Sequence, residues 1–245
     1  MGGRPHMNPL CQSAILYRDE HLVAINKPSG MVVHRSARIR HAPAALQCLR
    51  DLIGQHVYPV HRLDRGTSGV LLFALSSEAA RELCLLFRNH QDIAKTYLAV
   101  VRGYTDEAGV IDHPVPNGTT GERKDAVSHY RRLQTVEFPI PCGPYETARY
   151  SLVEVTPETG RYHQIRRHFH HISHPVVGDT THGDTTHNEL FRNHFQLWRL
   201  LLMAVKLSFK HPFTGASLTI QTPVDDALMH VFHDPAAMHM GEVGQ

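Results

Sequence analysis

Residues 61–69, HRLDRGTSG, place one carboxylate among basic side chains in a turn that leads directly into an apolar strand. Asp64 has His61 and Arg62 before it and Arg65 after it. Because nearby cations favour the charged form of a carboxyl group, we expect Asp64 to stay ionised, as a nucleophile or general base requires. A general acid would need the opposite environment. The spacing alone fits equally well a surface turn in which Asp64 only pairs with Arg62 or Arg65.

A histidine-rich segment is the second place where side chains could do chemistry. The chain has 21 histidines, and five of them lie close together: His163, His168, His170, His171 and His174. His170 and His174 are four residues apart and would share a helical face, as metal ligands often do. Neither an HExxH motif nor a nearby cysteine accompanies them. We therefore predict no metal site and expect these side chains to pack or to contact phosphate.

Other cofactor sites have no signature in the sequence. The four cysteines are widely spaced and form no CxxC pair, which argues against a disulfide framework and against a thiolate zinc site. Neither GxxxxGK[ST] nor GxGxxG occurs, so no phosphate-cradling loop is predicted. The formal net charge of +2 is small, and any nucleic-acid site must therefore be a local basic patch.

The longest apolar runs, such as residues 70–75, are far shorter than the roughly 20 residues that a membrane span needs. No signal-peptide pattern opens the chain. We expect a cytoplasmic protein that does not associate with membranes.

The elements that must position these residues are short strands interrupted by helices. Strands are predicted at residues 14–17, 22–26, 31–34, 70–75, 95–101, 145–155, 200–209 and 218–221. Helices are predicted at residues 44–53, after a cap at Ser76 or Ser77, and from about Tyr162. Residues 35–43, 112–125 and 138–144 read as surface loops. The irregular alternation favours a mixed α+β fold with a largely antiparallel central sheet and flanking helices and loops.

For the domain organisation, we expect residues 1–12 to be a disordered leader, native or left by an expression vector. Residues 13–233 would form a single catalytic domain, and residues 234–245 a disordered tail.

The segment HRLDRGTSG resembles the signature of the RluA-type pseudouridine synthases, in which its aspartate is the nucleophile of base isomerisation. Four further segments agree in order: AINKPSGMVVH (24–34), KTYLAVVRG (95–103), TGRYHQIRRHFHHISHPVVGD (159–179) and LLMAVKLSFKHPFTG (201–215). The resemblance covers about residues 14–222. It implies the α+β pseudouridine synthase core and an isomerase that needs no cofactor.

The resemblance also assigns two partners to Asp64. Tyr97 would stack on the target base and take part in a later deprotonation, whereas its position alone would suit a strand aromatic in the core. Arg166 would pair with the nucleophile. Since a buried guanidinium needs an acidic partner, Asp64 is the expected one. The three side chains should converge in space.

Extrusion of a stacked base is required before such a carboxylate can reach it. By resemblance Arg62 moves toward the vacated stack, with a simple phosphate contact as the alternative. Further candidates for contacts to the RNA are Lys27, His34, Arg35, His61, Arg65, Arg102, Arg161 and Arg167.

Many members of this family carry an N-terminal RNA-binding domain. Because the first predicted strand begins at about residue 14, we expect no such domain here and expect loops to choose the target. Several segments, among them AVSHYRRL and ALSSEAAREL, resemble the tRNA-acting branch, which implies uridine 65 of tRNA as the target. We expect no obligate protein partner and therefore a monomer. Ribosomal RNA or another tRNA position is an alternative in the same class. A non-catalytic RNA-binding protein and a metal-dependent hydrolase built on the histidines are alternatives from other classes.

Overall fold

The computed structural model describes residues 10–35, 42–89, 92–118 and 120–233. Its fold is mixed α+β with a large, mostly antiparallel sheet and flanking helices, which confirms the predicted class. Most of the expected leader, most of the loop at 35–43 and the whole expected tail lie outside the described residues.

A short 3-10 helix at Gln12–Ala14 comes first. The strands are β1 Ile15–Arg18, β2 Leu22–Lys27, β3 Tyr58–Pro59, β4 Ser68–Ala74, β5 Ile93–Arg102, β6 Ala108–Asp112, β7 Val115–Pro116, β8 Arg123–Lys124, β9 Val127–Phe138, β10 Ala148–Pro157, β11 Leu202–Lys210 and β12 Ser217–Gln221. The helices are α1 Ala45–Ile53, α2 Ser77–Arg88, α3 Gln164–His171, α4 Thr185–Phe195 and α5 Asp226–His233.

These elements form two compact units. The first contains the described residues up to Ile93 together with Lys206–Thr222, and the second contains Ala94–Val205 together with those from Pro223 onward. The prediction of one catalytic domain over residues 13–233 stays a prediction.

The first unit is built around β4, whose seven residues are all buried. Its strands follow the order β1, β2, β4 and β11, with β3 beside β4 and β12 beside β11. The predicted helix after β4 is confirmed: the Ser76 hydroxyl accepts the Ala79 N–H at 3.1 Å and caps α2. Ala79 and Leu83 of α2 then pack in one apolar cluster with Leu72 of β4.

The prediction of a strand at residues 31–34 is wrong. Val32 forms only an isolated parallel bridge with Ala44, and the carbonyl of Val32 accepts the Ala45 N–H at 2.8 Å. The run is therefore used to anchor the start of α1 and does not extend the sheet.

The second unit contains β5, β10, β9 and β6 in that order, and β11 is divided between the two units at Lys206. Along β5 the side chains alternate between two apolar clusters. Leu98 and Val100 lie in the cluster that contains residues of α4 and α5. Ala99 and Val101 lie in the cluster that contains Ile165 of α3. Odd-numbered residues of β5 therefore face the same cluster as α3.

The region at 112–125, predicted as a loop, contains the short ribbon β7–β8. The long strand β9 was missed. Half of its side chains are exposed or half-buried polar groups, so its sequence lacks the apolar alternation of a strand.

Candidate active site

Asp64 lies in a loop of the first unit that is fixed by residues following β2. The Gly30 N–H donates to the Arg65 carbonyl at 2.8 Å, and the Arg65 Nε donates to the Gly30 carbonyl at 3.0 Å. The Ser29 hydroxyl donates to the Gly66 carbonyl at 2.7 Å. Gly30 has a left-handed φ of 85°, which favours glycine at this turn. These bonds hold the loop on both sides of the half-buried Asp64.

Lys27 supports the same loop from inside. Its side chain is fully buried, and its ammonium donates to the carbonyls of Pro28 at 3.0 Å, Met31 at 2.8 Å and Arg65 at 3.4 Å. Burial lowers the pKa of Lys27 to about 7, and the charge of Asp64 opposes part of that decrease. This argues against the expected RNA contact of Lys27, because its side chain has no exposed surface and its ammonium already donates to three carbonyls of the protein.

The basic neighbours of Asp64 have different positions. Arg62 and Arg65 are exposed, as contacts to RNA require. The ring of His61 stacks on Phe87 with centroids 4.4 Å apart, and its Nε2 accepts the Leu72 N–H at 2.9 Å. A ring nitrogen that accepts from a backbone amide is unprotonated, so His61 is neutral in this arrangement. The structure therefore favours an anchoring role over a cationic RNA contact for His61.

Tyr97 lies on β5 in the second unit, opposite Val155 of β10. Its half-buried ring packs against the cluster that includes Ile165, the neighbour of Arg166 in α3. The ring is thus partly in the core, as its strand position alone predicts, and partly exposed, as stacking on a base requires.

Arg166 is buried in α3 and pairs with Asp179. Its Nε donates to Asp179 Oδ2 at 2.7 Å and its Nη2 to Oδ1 at 2.6 Å. Burial by itself would raise the pKa of Asp179, but the bonds from Arg166 and from the amides of His182 and Thr181 outweigh it, so the pKa of Asp179 is lowered. This partner of Arg166 was not predicted from the sequence. The sequence feature that could have identified it is a carboxylate shortly after α3, since a guanidinium buried in the core needs a carboxylate as its ion-pair partner.

Arg161 and Arg167 contact the segment before β9 through their guanidinium groups. Arg161 is exposed and its Nε donates to the Asp125 carbonyl at 3.2 Å. The Arg167 Nη1 donates to the Pro116 carbonyl at 2.7 Å, and its guanidinium lies 5.5 Å from the centroid of the Tyr162 ring. A basic, partly aromatic surface of this kind suits RNA.

The histidines in and next to α3 contact histidines from other segments and the backbone, as in the 3.0 Å contact between His168 Nε2 and the His113 carbonyl. His113 and His171 stack with centroids 3.6 Å apart, and His163 Nδ1 lies 3.0 Å from His182 Nε2. Within the described residues, no group of three or more potential ligand side chains is arranged to hold a metal ion.

Each unit thus assembles part of the predicted set. Asp64 lies with Lys27 in the first unit, and Tyr97 and Arg166 belong to the second. The convergence of Asp64 with Tyr97 and Arg166 involves both units and stays a prediction. Among the described helices, none is long and apolar enough to cross a membrane.

Comparisons with known proteins give a consistent result. Residues 21–171 match the family described as RNA pseudouridylate synthase. The tRNA pseudouridine synthase C of Vibrio cholerae is 51% identical, with 86% of this chain and 91% of that protein covered. The protein of the same name from Yersinia pestis is also 51% identical, with 86% of each chain covered.

The structure of human RNA Pseudouridylate Synthase Domain Containing 1 superposes with a TM-score of 0.70, covering 92% of this chain and 90% of that one at 24% identity. Human RNA Pseudouridylate Synthase Domain Containing 4 gives a TM-score of 0.68 over 89% and 92% of the two chains, also at 24% identity. At this identity the likeness demonstrates a shared fold.

Proposed function

This chain belongs to the RNA pseudouridylate synthase family, and we propose that it isomerises one uridine of a tRNA to pseudouridine with Asp64 as the nucleophile. The observation that carries the proposal is the fixed loop around Asp64. Asp64 is half-buried, its loop is clamped through residues 29–31 and 65–66, and the ammonium of Lys27 lies beneath it. A carboxylate held in this way is positioned before substrate arrives.

The reaction breaks the bond between N1 of uracil and C1′ of the ribose and forms a bond between C5 and C1′. Asp64 attacks C1′ or removes the C2′ proton to give a glycal; either route releases the base for rotation. The proton on C5 is then lost and N1 gains one, so the product is an isomer of the substrate. Because no electrons or phosphoryl groups are transferred, the reaction needs no cofactor.

The other side chains take roles around this step. Tyr97 stacks on the uracil ring, and Arg166 compensates the negative charge of Asp64. The exposed guanidinium of Arg62 enters the gap that the extruded base leaves. Arg161 and Arg167 bind the RNA backbone. The names of the relatives support tRNA as the substrate, and we propose uridine 65 as the target, a monomer as the active form and the cytoplasm as its location.

The test is release of tritium from tRNA transcripts that carry uridine labelled at C5. The wild-type protein should release about one equivalent, and Asp64→Asn should release none while its affinity for tRNA is unchanged. Asp51→Asn, an exposed carboxylate on α1, is the matched control and should be fully active. Turnover by Asp64→Asn at the wild-type rate contradicts the assignment.

A second transcript with cytidine at position 65 tests the target. It should release no tritium with the wild-type protein. Release from this transcript, or from ribosomal RNA in place of tRNA, would show another target within the same class of reaction.

A further inference from the structure

Lys95 on β5 is a buried cation that the proposed reaction does not use. The residue is 9% exposed, and its ammonium donates to the carbonyl of Thr159 at 3.3 Å. No carboxylate in the described part of the chain forms an ion pair with it. Burial lowers the pKa of Lys95 to about 8.

This environment is unfavourable for stability. Removing an ammonium from water is costly unless close partners replace the hydration, and 3.3 Å is long for an N–H···O bond, which is usually 2.7–3.2 Å. The Lys27 ammonium, by comparison, donates to three carbonyls within the protein. A cation retained in a poorly compensated site suggests a ligand that completes it.

The position of Lys95 indicates where that ligand lies. Lys95 and Tyr97 are two residues apart on β5, so their side chains point to the same face at a spacing of about 7 Å. That is the face on which Tyr97 packs against the cluster containing α3. Thr159, the hydrogen-bond partner of Lys95, precedes α3, the helix that carries Arg166.

We propose that the Lys95 ammonium binds a phosphodiester group of the same nucleotide whose base stacks on Tyr97. The inference rests on the proposed function, since it takes Tyr97 as the base-stacking residue. An aromatic ring and a nearby cation together are a common means of holding an unstacked nucleotide. The phosphate oxygens would supply the short, charge-assisted hydrogen bonds that Lys95 lacks within the protein.

Lys95→Met tests the proposal because methionine fills a similar volume without a charge. We expect kcat/KM for tRNA to fall by about 10- to 100-fold, the loss that one charge-assisted hydrogen bond predicts. The melting temperature should stay the same or increase, since an unfavourable buried charge is removed. Lys210→Met, which removes an exposed lysine at the end of β11, should leave kcat/KM unchanged. A lower melting temperature for Lys95→Met together with unchanged kcat/KM would overturn the proposal.

A substrate carrying a neutral methylphosphonate next to the target uridine provides the second arm. With the wild-type protein, neutralising one of the two linkages, on the 5′ or on the 3′ side of the target uridine, should reduce kcat/KM about as much as Lys95→Met does. With Lys95→Met, the same change should have little further effect, because the two partners of one interaction are not additive. Full additivity at both linkages would show that Lys95 binds no phosphate there.

Failure of this inference is distinguishable from failure of the proposed function. If the wild-type protein releases tritium and Lys95→Met is equally active, only the role of Lys95 is refuted. If the wild-type protein releases none from any RNA, the proposed function is refuted as well.

Discussion

Arg166 and Asp179 form a two-pronged ion pair in the interior of the second unit. Two parallel hydrogen bonds of 2.7 and 2.6 Å join the guanidinium to the carboxylate. The side chain of Arg166 is 8% exposed and that of Asp179 is 1% exposed. Asp179 Oδ1 also accepts the N–H groups of Thr181 at 2.8 Å and His182 at 3.0 Å. The pair fixes the plane of the guanidinium, so Asp179 determines which way Arg166 presents its remaining nitrogen.

Replacing Arg166 should therefore destabilise the protein strongly. Arg166→Met leaves the Asp179 charge buried without its cation, and we expect the free energy of unfolding to fall by about 3–5 kcal/mol. Arg166→Met combined with Asp179→Leu should lose much less than the sum of the two single changes, because neither buried charge remains. Urea denaturation of the four proteins measures both quantities.

The exposed pair Arg81 and Glu82 on α2 is the control for this experiment. Arg81→Ala should change the free energy of unfolding by less than about 0.5 kcal/mol, as for most surface ion pairs. A similarly small effect of Arg166→Met would mean that its pair with Asp179 contributes no more than a surface pair.

The pair of Arg166 and Asp179 also predicts how the stability of the protein changes in acid. The pKa of Asp179 is lowered in the folded protein, so it binds its proton less readily there than in the unfolded chain. Its contribution to stability should be complete above the ordinary value of 3.8 and should be lost as the pH falls through the lower folded value. Asp179→Asn should consequently lose less stability than the wild type between pH 4 and pH 2. Parallel acid titrations of the two proteins, followed by circular dichroism, measure this difference, and an equal loss of stability in both would contradict the prediction.

The elements with clear local signals were predictable from the sequence. A serine cap followed by apolar residues at helical spacing predicted α2, and an uninterrupted apolar run predicted β4. Lys27 was predicted less well. Its charge suggested a surface contact, and only the long-range bonds to Arg65 and Met31 show that it is buried under the loop of Asp64.

The partner of Arg166 shows the same limit. The sequence predicted that a buried guanidinium needs a carboxylate, but burial gives no direction in space. Asp179, thirteen residues later in the chain, meets Arg166 because the turn after α3 brings it back. The missed strand β9 has a related cause: its polar side chains hide the alternation, and it is recognisable only by its pairing with β6 and β10.

Lys27 should make stability increase with pH in the alkaline range. Burial lowers the pKa of its ammonium from 10.5 to about 7, so between these values the unfolded chain binds a proton that the folded protein does not. Unfolding therefore becomes less favourable as the pH rises, by up to about 1.4 kcal/mol per pH unit. Lys27→Met lacks this term, and the wild type should gain stability relative to it between pH 7 and pH 10. Lys210→Met, at an exposed site, should follow the wild type. Denaturation curves at pH 7, 8.5 and 10 measure the difference in the free energy of unfolding between the wild type and Lys27→Met. A difference that does not change with pH would be inconsistent with the lowered pKa of Lys27.

Arg161 should contribute to RNA binding by charge and little to the chemical step. Its side chain is exposed beside the carbonyl of Asp125, and one phosphate contact should steepen the salt dependence of binding by about one counterion. We expect Arg161→Ala to weaken tRNA binding, to reduce the slope of log Kd against log salt concentration by about 1, and to leave kcat unchanged. Arg88→Ala, at the exposed end of α2, is the matched loss of one charge and should leave the slope unchanged. Filter binding at several salt concentrations gives the slope. Equal slopes for Arg161→Ala and Arg88→Ala would place the phosphate contacts elsewhere and leave Arg161 with its bond to Asp125 alone.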